Sequence, residues 1–335
     1  MASGGARGLV LISGGLDSQL AVRVLERAGA KVWAVCFSTP FFSPAAARKA
    51  AAALGVELDV VDFTRDEIAL VKNPPHGFGG AMNPCIDCHA AMIRRAGEMM
   101  RERGFDFVAT GEVLGQRPMS QNRQSLGIVE RASGLQGRLV RPLSAKLLEP
   151  TVPEAEGLLD RDALLDIQGR GRERQIALAA ELGIVEYPSP AGGCKLTEKG
   201  YGRRLKDLLE HEGLDDIRLV ELLSAGRRFR LPEGAGVILG RDRVENAALR
   251  DCGVPGVLIA PVNCPGPTAL VPGVASAADV ALATELVAAY SRFDGLADDV
   301  RVSVAGSGGR ECAASASVPR ESCADRDRFK RWQIC

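Results

Sequence analysis

Residues 8–12 (GLVLI) form an uninterrupted apolar run, and after a Ser-Gly-Gly turn Leu20, Ala21, Val24 and Leu25 recur at helical spacing. A short apolar run bounded by turn residues predicts a strand buried on both faces, as in a parallel sheet, and the recurrence after it predicts an amphipathic helix. The rhythm then repeats. Residues 31–37 (KVWAVCF) read as a second strand, 44–54 as an alanine-rich helix and 57–63 (ELDVVDF) as a third strand. Residues 70–82 are rich in Pro and Gly and are expected to form a long loop, 89–103 a helix, and 105–110 (FDFVAT) another buried strand. Alternating strands and helices predict a doubly wound parallel α/β domain over residues 1–150.

The pattern changes twice beyond that point. Residues 151–225 read as a helical connector, clearest at 160–182 and 201–209 and interrupted at 187–193 (YPSPAGG). From 226 the stretches RRFRL, GVIL, GVLIA and TALV are short strands separated by Gly and Pro, which predicts a small α+β domain over 226–303. Residues 304–335 lack apolar periodicity and are expected to be a disordered tail, which makes Cys312, Cys323 and Cys335 poor candidates for a site. No segment repeats.

A chain of 335 residues with 46% apolar content is expected to build more than one core. Lys plus Arg and Asp plus Glu are equal at 42 each, so any grip on nucleic acid must come from local patches. No leader pattern or bilayer-length apolar run is read, and the expected location is cytoplasmic, with no membrane partner. Nine cysteines in a compartment that keeps thiols reduced point to metal binding or catalysis rather than disulfides.

The first candidate site is Ser13-Gly14-Gly15-Leu16-Asp17-Ser18, at the strand-to-helix turn where an α/β sheet receives ligands. Gly14 and Gly15 allow backbone to approach a phosphate, the amides of the following helix point at it, and Ser13 and Ser18 add hydroxyls. Asp17 would repel phosphate unless it holds Mg²⁺ or orients those amides. The Gly-x-x-x-x-Gly-Lys-Ser/Thr pattern is absent from the sequence.

Ser-Gly-Gly-Leu-Asp-Ser after a first strand resembles the PP-loop of N-type ATP pyrophosphatases. That resemblance implies the adenine-nucleotide α-hydrolase fold, ATP with Mg²⁺, and adenylation of a substrate oxygen with release of pyrophosphate. Residues 109–121 (ATGEVLGQRPMSQ) resemble the corresponding segment of tRNA 4-thiouridine synthases and add Thr110 and Gly111 to the nucleotide site. Asn83-Pro84-Cys85-Ile86-Asp87-Cys88-His89 resembles the cysteine segment of tRNA 2-thiouridine synthases, with Cys88 at the sulfur-carrying position. Residues 190–194 (PAGGC) match the context of their second catalytic cysteine, which makes Asp17, Cys88 and Cys194 the implied catalytic residues. That family usually has Asp where this chain has Cys85.

Three thiols leave several readings open. Cys85, Cys88 and Cys194 could hold three corners of a 4Fe-4S cluster with one iron free for sulfide, or of a zinc site completed by His89 or His76. A persulfide relay needs only Cys88 and Cys194, and burial as small apolar residues needs no chemistry. A thioredoxin-like pair is disfavoured because Cys-x-x-Cys does not open a helix directly after the first strand. Reactive thiolates are expected in an electropositive setting, with Arg94, Arg95 and Lys195 as suppliers, and Lys146 is a candidate phosphate contact.

Residues 229–249 (FRLPEGAGVILGRDRVENAAL) resemble the opening of the NFACT-type RNA-binding domain, with Arg241, Arg243 and Asn246 as probes. The Gly169-Arg170-Gly171-Arg172-Glu173-Arg174 stretch and Arg203-Arg204 are further candidate RNA backbone contacts. Together these resemblances imply an ATP-dependent sulfurtransferase acting on tRNA uridine, supplied by sulfide or by a persulfide-carrying protein. The competing readings are a PP-loop enzyme adenylating a small molecule and a non-catalytic RNA-binding adaptor.

Overall fold

The computed structural model describes residues 5–189, 193–292, 299–307 and 313–335. The chain divides into two compact units, residues 1–197 and 198–335. The sequence pattern instead placed breaks near 150 and 225, and the structure assigns residues 151–197 to the first unit.

In the first unit, strands β1 (Arg7–Leu11), β2 (Lys31–Ser38), β3 (Leu58–Asp62), β4 (Phe107–Thr110) and β5 (Leu139–Val140) form a sheet in the order β3-β2-β1-β4-β5. Every pairing is parallel. Helices α1 (Leu16–Arg27), α2 (Ala45–Leu54), α3 (Thr64–Lys72), α4 (Cys85–Arg103), α5 (Arg123–Ser133), α6 (Val152–Ala155) and α7 (Glu173–Glu181) connect and follow the strands. Two apolar cores flank the sheet, one built around Val10, Leu20 and Phe107, the other around Leu9, Ile93 and Val108. This is the doubly wound parallel architecture that the alternating runs predicted. The strand order reverses between β1 and β4, so the crevice for a ligand opens at the carboxyl ends of those two strands.

Several elements differ from the sequence reading. Helix α3 was not anticipated, and it covers the start of the expected 70–82 loop. Helix α4 begins four residues early and takes Cys85 and Cys88 into its first turn. Helix α5 was also missed. Its start is fixed by Asn122, whose side chain accepts a hydrogen bond from Ser125 N at 2.8 Å. The helix expected over 160–182 is only a 3-10 turn at Arg161–Ala163 followed by α7. Gly169, at φ 86°, supplies the left-handed backbone that interrupts it.

The second unit has α8 (Lys199–His211) and α9 (Ile217–Glu221), then β6 (Arg227–Arg230), β7 (Gly236–Leu239), α10 (Arg243–Asp251), β8 (Gly256–Pro261), β9 (Ala269–Pro272) and α11 (Ala277–Tyr290). It ends with β10 (Val300–Ser307), β11 (Ala313–Val318), α12 (Arg320–Cys323) and β12 (Gln333–Ile334). Seven strands pair antiparallel in the order β11-β10-β8-β9-β7-β6-β12, against which α11 packs. The expectation of a disordered tail over 304–335 is therefore corrected for its described residues, 304–307 and 313–335. Val318, Cys323 and Phe329 are buried in the core of this unit, and β12 pairs with β6. β11 reads AASASV, and such small residues give no hydrophobic alternation for a sequence pattern to detect. Cys312 lies outside the described residues.

Candidate active site at the carboxyl edge of the parallel sheet

Gly14 lies at φ 82°, and a Cβ there would sit 2.3 Å from the Ala46 carbonyl carbon. Only glycine lets the loop pass this close to α2. Gly15 caps α1, its amide donating to Ser13 Oγ at 3.3 Å, and Ser18 Oγ donates to the Gly15 carbonyl at 2.8 Å. Asp17 stands in the first turn of α1. Its Oδ2 accepts from Gln116 Nε2 at 3.1 Å, while its Oδ1 is buried without a partner. A buried carboxylate oxygen with no donor suits a cation.

Strand β4 delivers the second half of the candidate site. A Cβ on Gly111 would lie 2.6 Å from Ser18 N and 2.7 Å from Asp17 O, so the Thr110-Gly111 turn packs directly on the loop after β1. The Thr110 hydroxyl donates to Glu112 Oε2 at 3.1 Å, which holds that turn from inside. Ser13, Gly14, Gly15, Asp17, Ser18, Thr110 and Gly111 thus share one crevice, although they come from segments almost a hundred residues apart. Lys146 does not join them. Its ammonium donates to the Asp162 carbonyl at 2.8 Å.

The thiols occupy the same edge of the sheet. Helix α4 returns antiparallel to the strands, so its first turn, with Cys85 and Cys88, starts at their carboxyl ends. The Cys194 segment is held there by Lys195 N, which donates to the Phe41 carbonyl just past β2 at 3.0 Å. Cys88 is buried and Cys85 and Cys194 are partly so. Pro190, Ala191 and Gly192, from the turn preceding Cys194, lie outside the described residues.

Sequence reasoning missed Glu67. It sits on α3 on the face that carries Thr64, Ile68 and Val71, and it is fully buried with neither carboxylate oxygen hydrogen-bonded. Burial pushes its pKa up, against the influence of Cys88 and then His89. The Cys88 thiol lies close to this carboxyl and is the strongest influence opposing its burial. Burial also drives the Cys88 thiol well above its ordinary range, with Glu67, Cys194 and Cys85 adding to the effect. Cys194 is pushed up to about 12, mainly by burial, with Glu67 and Cys85 adding. This reverses the expected electropositive setting. Arg94 donates to the Ala132 carbonyl and Arg95 pairs with Glu98, so neither is directed to the thiols.

Both histidines near the thiols are committed to carboxylates. His76 Nδ1 lies 2.6 Å from Asp87 Oδ1, and His89 Nδ1 lies 2.9 Å from Glu112 Oε1. Glu112 also accepts from Arg141 Nε at 2.9 Å, and both partners are almost fully buried. Burial alone would raise the Glu112 pKa, but Arg141 and His89 outweigh it and hold it down at about 2. Among the described residues no three Cys, His, Asp or Glu side chains converge on one point at metal-ligand spacing. The electrostatic effects place Cys85, Cys88 and Cys194 in one neighbourhood, with the donor chemistry of a cluster site but without its convergent geometry.

In the second unit Arg241 pairs with Glu245, and Asn246 Oδ1 accepts from Thr268 N at 2.9 Å, so both serve the fold locally. Arg174 pairs with Asp166, and Arg204 donates to the Leu223 carbonyl. No helix among the described residues is long and apolar enough to cross a membrane.

Strand order, the glycine loop and the Thr-Gly turn together define the first unit as a doubly wound parallel α/β domain with a glycine loop at its first strand-to-helix turn, followed by an α+β domain. Residues 3–146 match the family model for thiamine biosynthesis protein (ThiI), and residues 226–325 match that for the NFACT protein RNA binding domain. The chain is 27% identical over 132 residues to a probable tRNA sulfurtransferase of Anoxybacillus flavithermus (strain DSM 21510 / WK1), covering 37% of this chain and 32% of that protein. It thus spans about a third of that relative's length. It is 26% identical over 279 residues to the tRNA-specific 2-thiouridylase MnmA of Roseiflexus sp. (strain RS-1), covering 70% of this chain and 72% of that protein. A 4-thiouridine synthetase solved in complex with RNA and ATP aligns at a TM-score of 0.40 and 19% identity, over 66% of this chain and 53% of its own.

Proposed function

We propose that this protein is an ATP-dependent tRNA sulfurtransferase. The observation that carries the reading is that the phosphate loop and the three thiols share the carboxyl edge of one parallel sheet. The family matches and the two named tRNA-thiolating relatives support the substrate class.

A uridine carbonyl oxygen attacks the α-phosphorus of ATP, the bond to the β-phosphate breaks, and pyrophosphate leaves. Backbone amides after Gly14 and the hydroxyls of Ser13 and Ser18 face the phosphates. Asp17, with its unpartnered buried oxygen, would hold Mg²⁺, which supplies charge neutralisation at the phosphates. The terminal sulfur of a Cys88 persulfide then attacks the activated carbon and AMP leaves. Cys194 attacks the Cys88 sulfur, the sulfur bound to the base stays there, and a Cys88–Cys194 disulfide forms for an external thiol to reduce. Because the thiols do not converge on one point, no step is routed through a cluster.

The test is reconstitution: purified protein, unmodified tRNA, MgATP and a persulfide donor, with digested RNA read by mass spectrometry. Thiouridine formed with wild type and lost with Cys88→Ser and Asp17→Asn is the expected result. AMP production that needs no RNA, with no thiolated nucleoside, would replace this reading with a small-molecule substrate.

A further inference from the structure

The Gly169–Arg174 stretch was expected to meet RNA, and the fold ties its start to the segment after β4. Helices α1 and α7 pack side by side, and Arg27 Nη1 pairs with Glu181 Oε1 at 2.8 Å, joining their last turns. A parallel run of the two helices back from this ion pair would put their N-termini at the same end. Counting back from that ion pair at equal rise would then set Arg172 level with Ser18, in the first turn after the glycine loop.

A second set of contacts leads to the same place from the other side. Leu114 and Gln168 form a parallel bridge, and Gly169 N donates to the Leu114 carbonyl at 2.8 Å. A Cβ on Gly115 would lie 3.4 Å from Gly169 N. The next residue is Gln116, whose amide holds Asp17 at 3.1 Å.

Among the described residues, three side chains on these segments each bury a polar atom without a hydrogen-bond partner. Arg172, the residue capping α7, has a buried Nε without an acceptor. Gln175, at the third position of α7, is fully exclusive of solvent at 0% exposure, and neither atom of its amide is hydrogen-bonded. Side chains on a helix slope toward its N-terminus, so this amide is directed at the first turn. The third group is Asp17 Oδ1. A cation, a neutral amide and a helix N-terminus offer donors to an anion, and the free carboxylate oxygen beside them suits the metal that accompanies a polyphosphate.

We propose that Arg172 and Gln175 form a second wall of the nucleotide site and receive the β- and γ-phosphates of ATP, the part that leaves as pyrophosphate. This rests on the reading that the loop after β1 binds ATP. Arg172 is then a phosphate ligand and not an RNA contact.

Calorimetric titration of wild type, Arg172→Ala, Arg172→Lys and Gln175→Ala with ATP, inorganic pyrophosphate and AMP, all with Mg²⁺, tests it. Arg131→Ala, on the exposed side of α5, serves as the charge control, and thermal unfolding without ligand checks each fold. Arg172→Ala should weaken both ATP and pyrophosphate by about ten-fold or more while leaving AMP unchanged. Arg172→Lys should fall between, and it decides the matter if the alanine variant does not fold. Equal affinity of wild type and the Arg172 variants for ATP and pyrophosphate, or an AMP loss as large as the ATP loss, would overturn the proposal while ATP binding by wild type stands. Wild type that binds neither ATP nor pyrophosphate would overturn both readings together.

Discussion

Glu112 shows how one buried residue ties the two halves of the site together. It takes hydrogen bonds from Thr110 in the nucleotide crevice, from His89 beside Cys88, and from Arg141 in the core. Removing its charge would leave Arg141 buried beside a neutral amide, which costs about 3 kcal/mol or more. Glu112→Gln should therefore lower the urea midpoint strongly, and a change of less than a few tenths of a molar would refute that role. Its acid dependence has a definite sign. The folded pKa of about 2 lies below the ordinary carboxylate value, so the stabilisation is fully present above that ordinary value. It declines as pH falls toward about 2, and acid unfolding of the wild type should show this dependence while Glu112→Gln does not. Nothing in ATGEVLGQ distinguishes Glu112 from a surface loop residue, because Arg141 and His89 reach it from distant positions in the chain. Glu67 was more legible: it shares a helical face with Ile68 and Val71, and that spacing marks it as inward-facing.

At the scale of elements, close backbone approach matters more than side-chain chemistry. The Thr110-Gly111 turn rests on the α1 amides, and Gly111→Ala would push a methyl group to 2.6 Å from Ser18 N, with no flexible side chain there to give way. The expected result is loss of ATP binding together with a destabilisation of about 1–3 kcal/mol. Alanine at the nearby Gly115 would strain its positive φ but meet nothing closer than 3.4 Å, so it should disturb nucleotide binding less. Titration of both variants with ATP checks the difference in size. Helix α4 carries a similar lesson. Its periodic apolar positions predicted a helix from 89, but the first turn over Cys85 to Cys88 has no such pattern. Only the fold shows that Cys85 and Cys88 open a helix beside a buried carboxylate, where burial first and Glu67 second raise the thiol pKa of Cys88 instead of lowering it.

For the whole molecule, the correction with the largest consequence concerns the last thirty residues. Phe329 is fully buried in the core of the second unit, and β12 pairs beside β6. Phe329→Ala should destabilise that unit by about 3–5 kcal/mol, whereas a disordered tail would tolerate it without effect. Thermal unfolding of the full chain distinguishes the two. The alternating apolar runs, the glycine loop and the cysteine spacing by themselves determined the parallel domain, its nucleotide loop and the resemblance to tRNA-thiolating enzymes. These are local patterns of period and turn chemistry, which neighbouring residues encode. Strand order, the meeting of Gly111 with Asp17, the burial of Glu67 beside Cys88 and the pairing of Gly169 with Leu114 were decided only by tertiary structure. Each depends on segments far apart in the chain, and the free energy that joins them comes from packing and desolvation, which no short window of sequence contains.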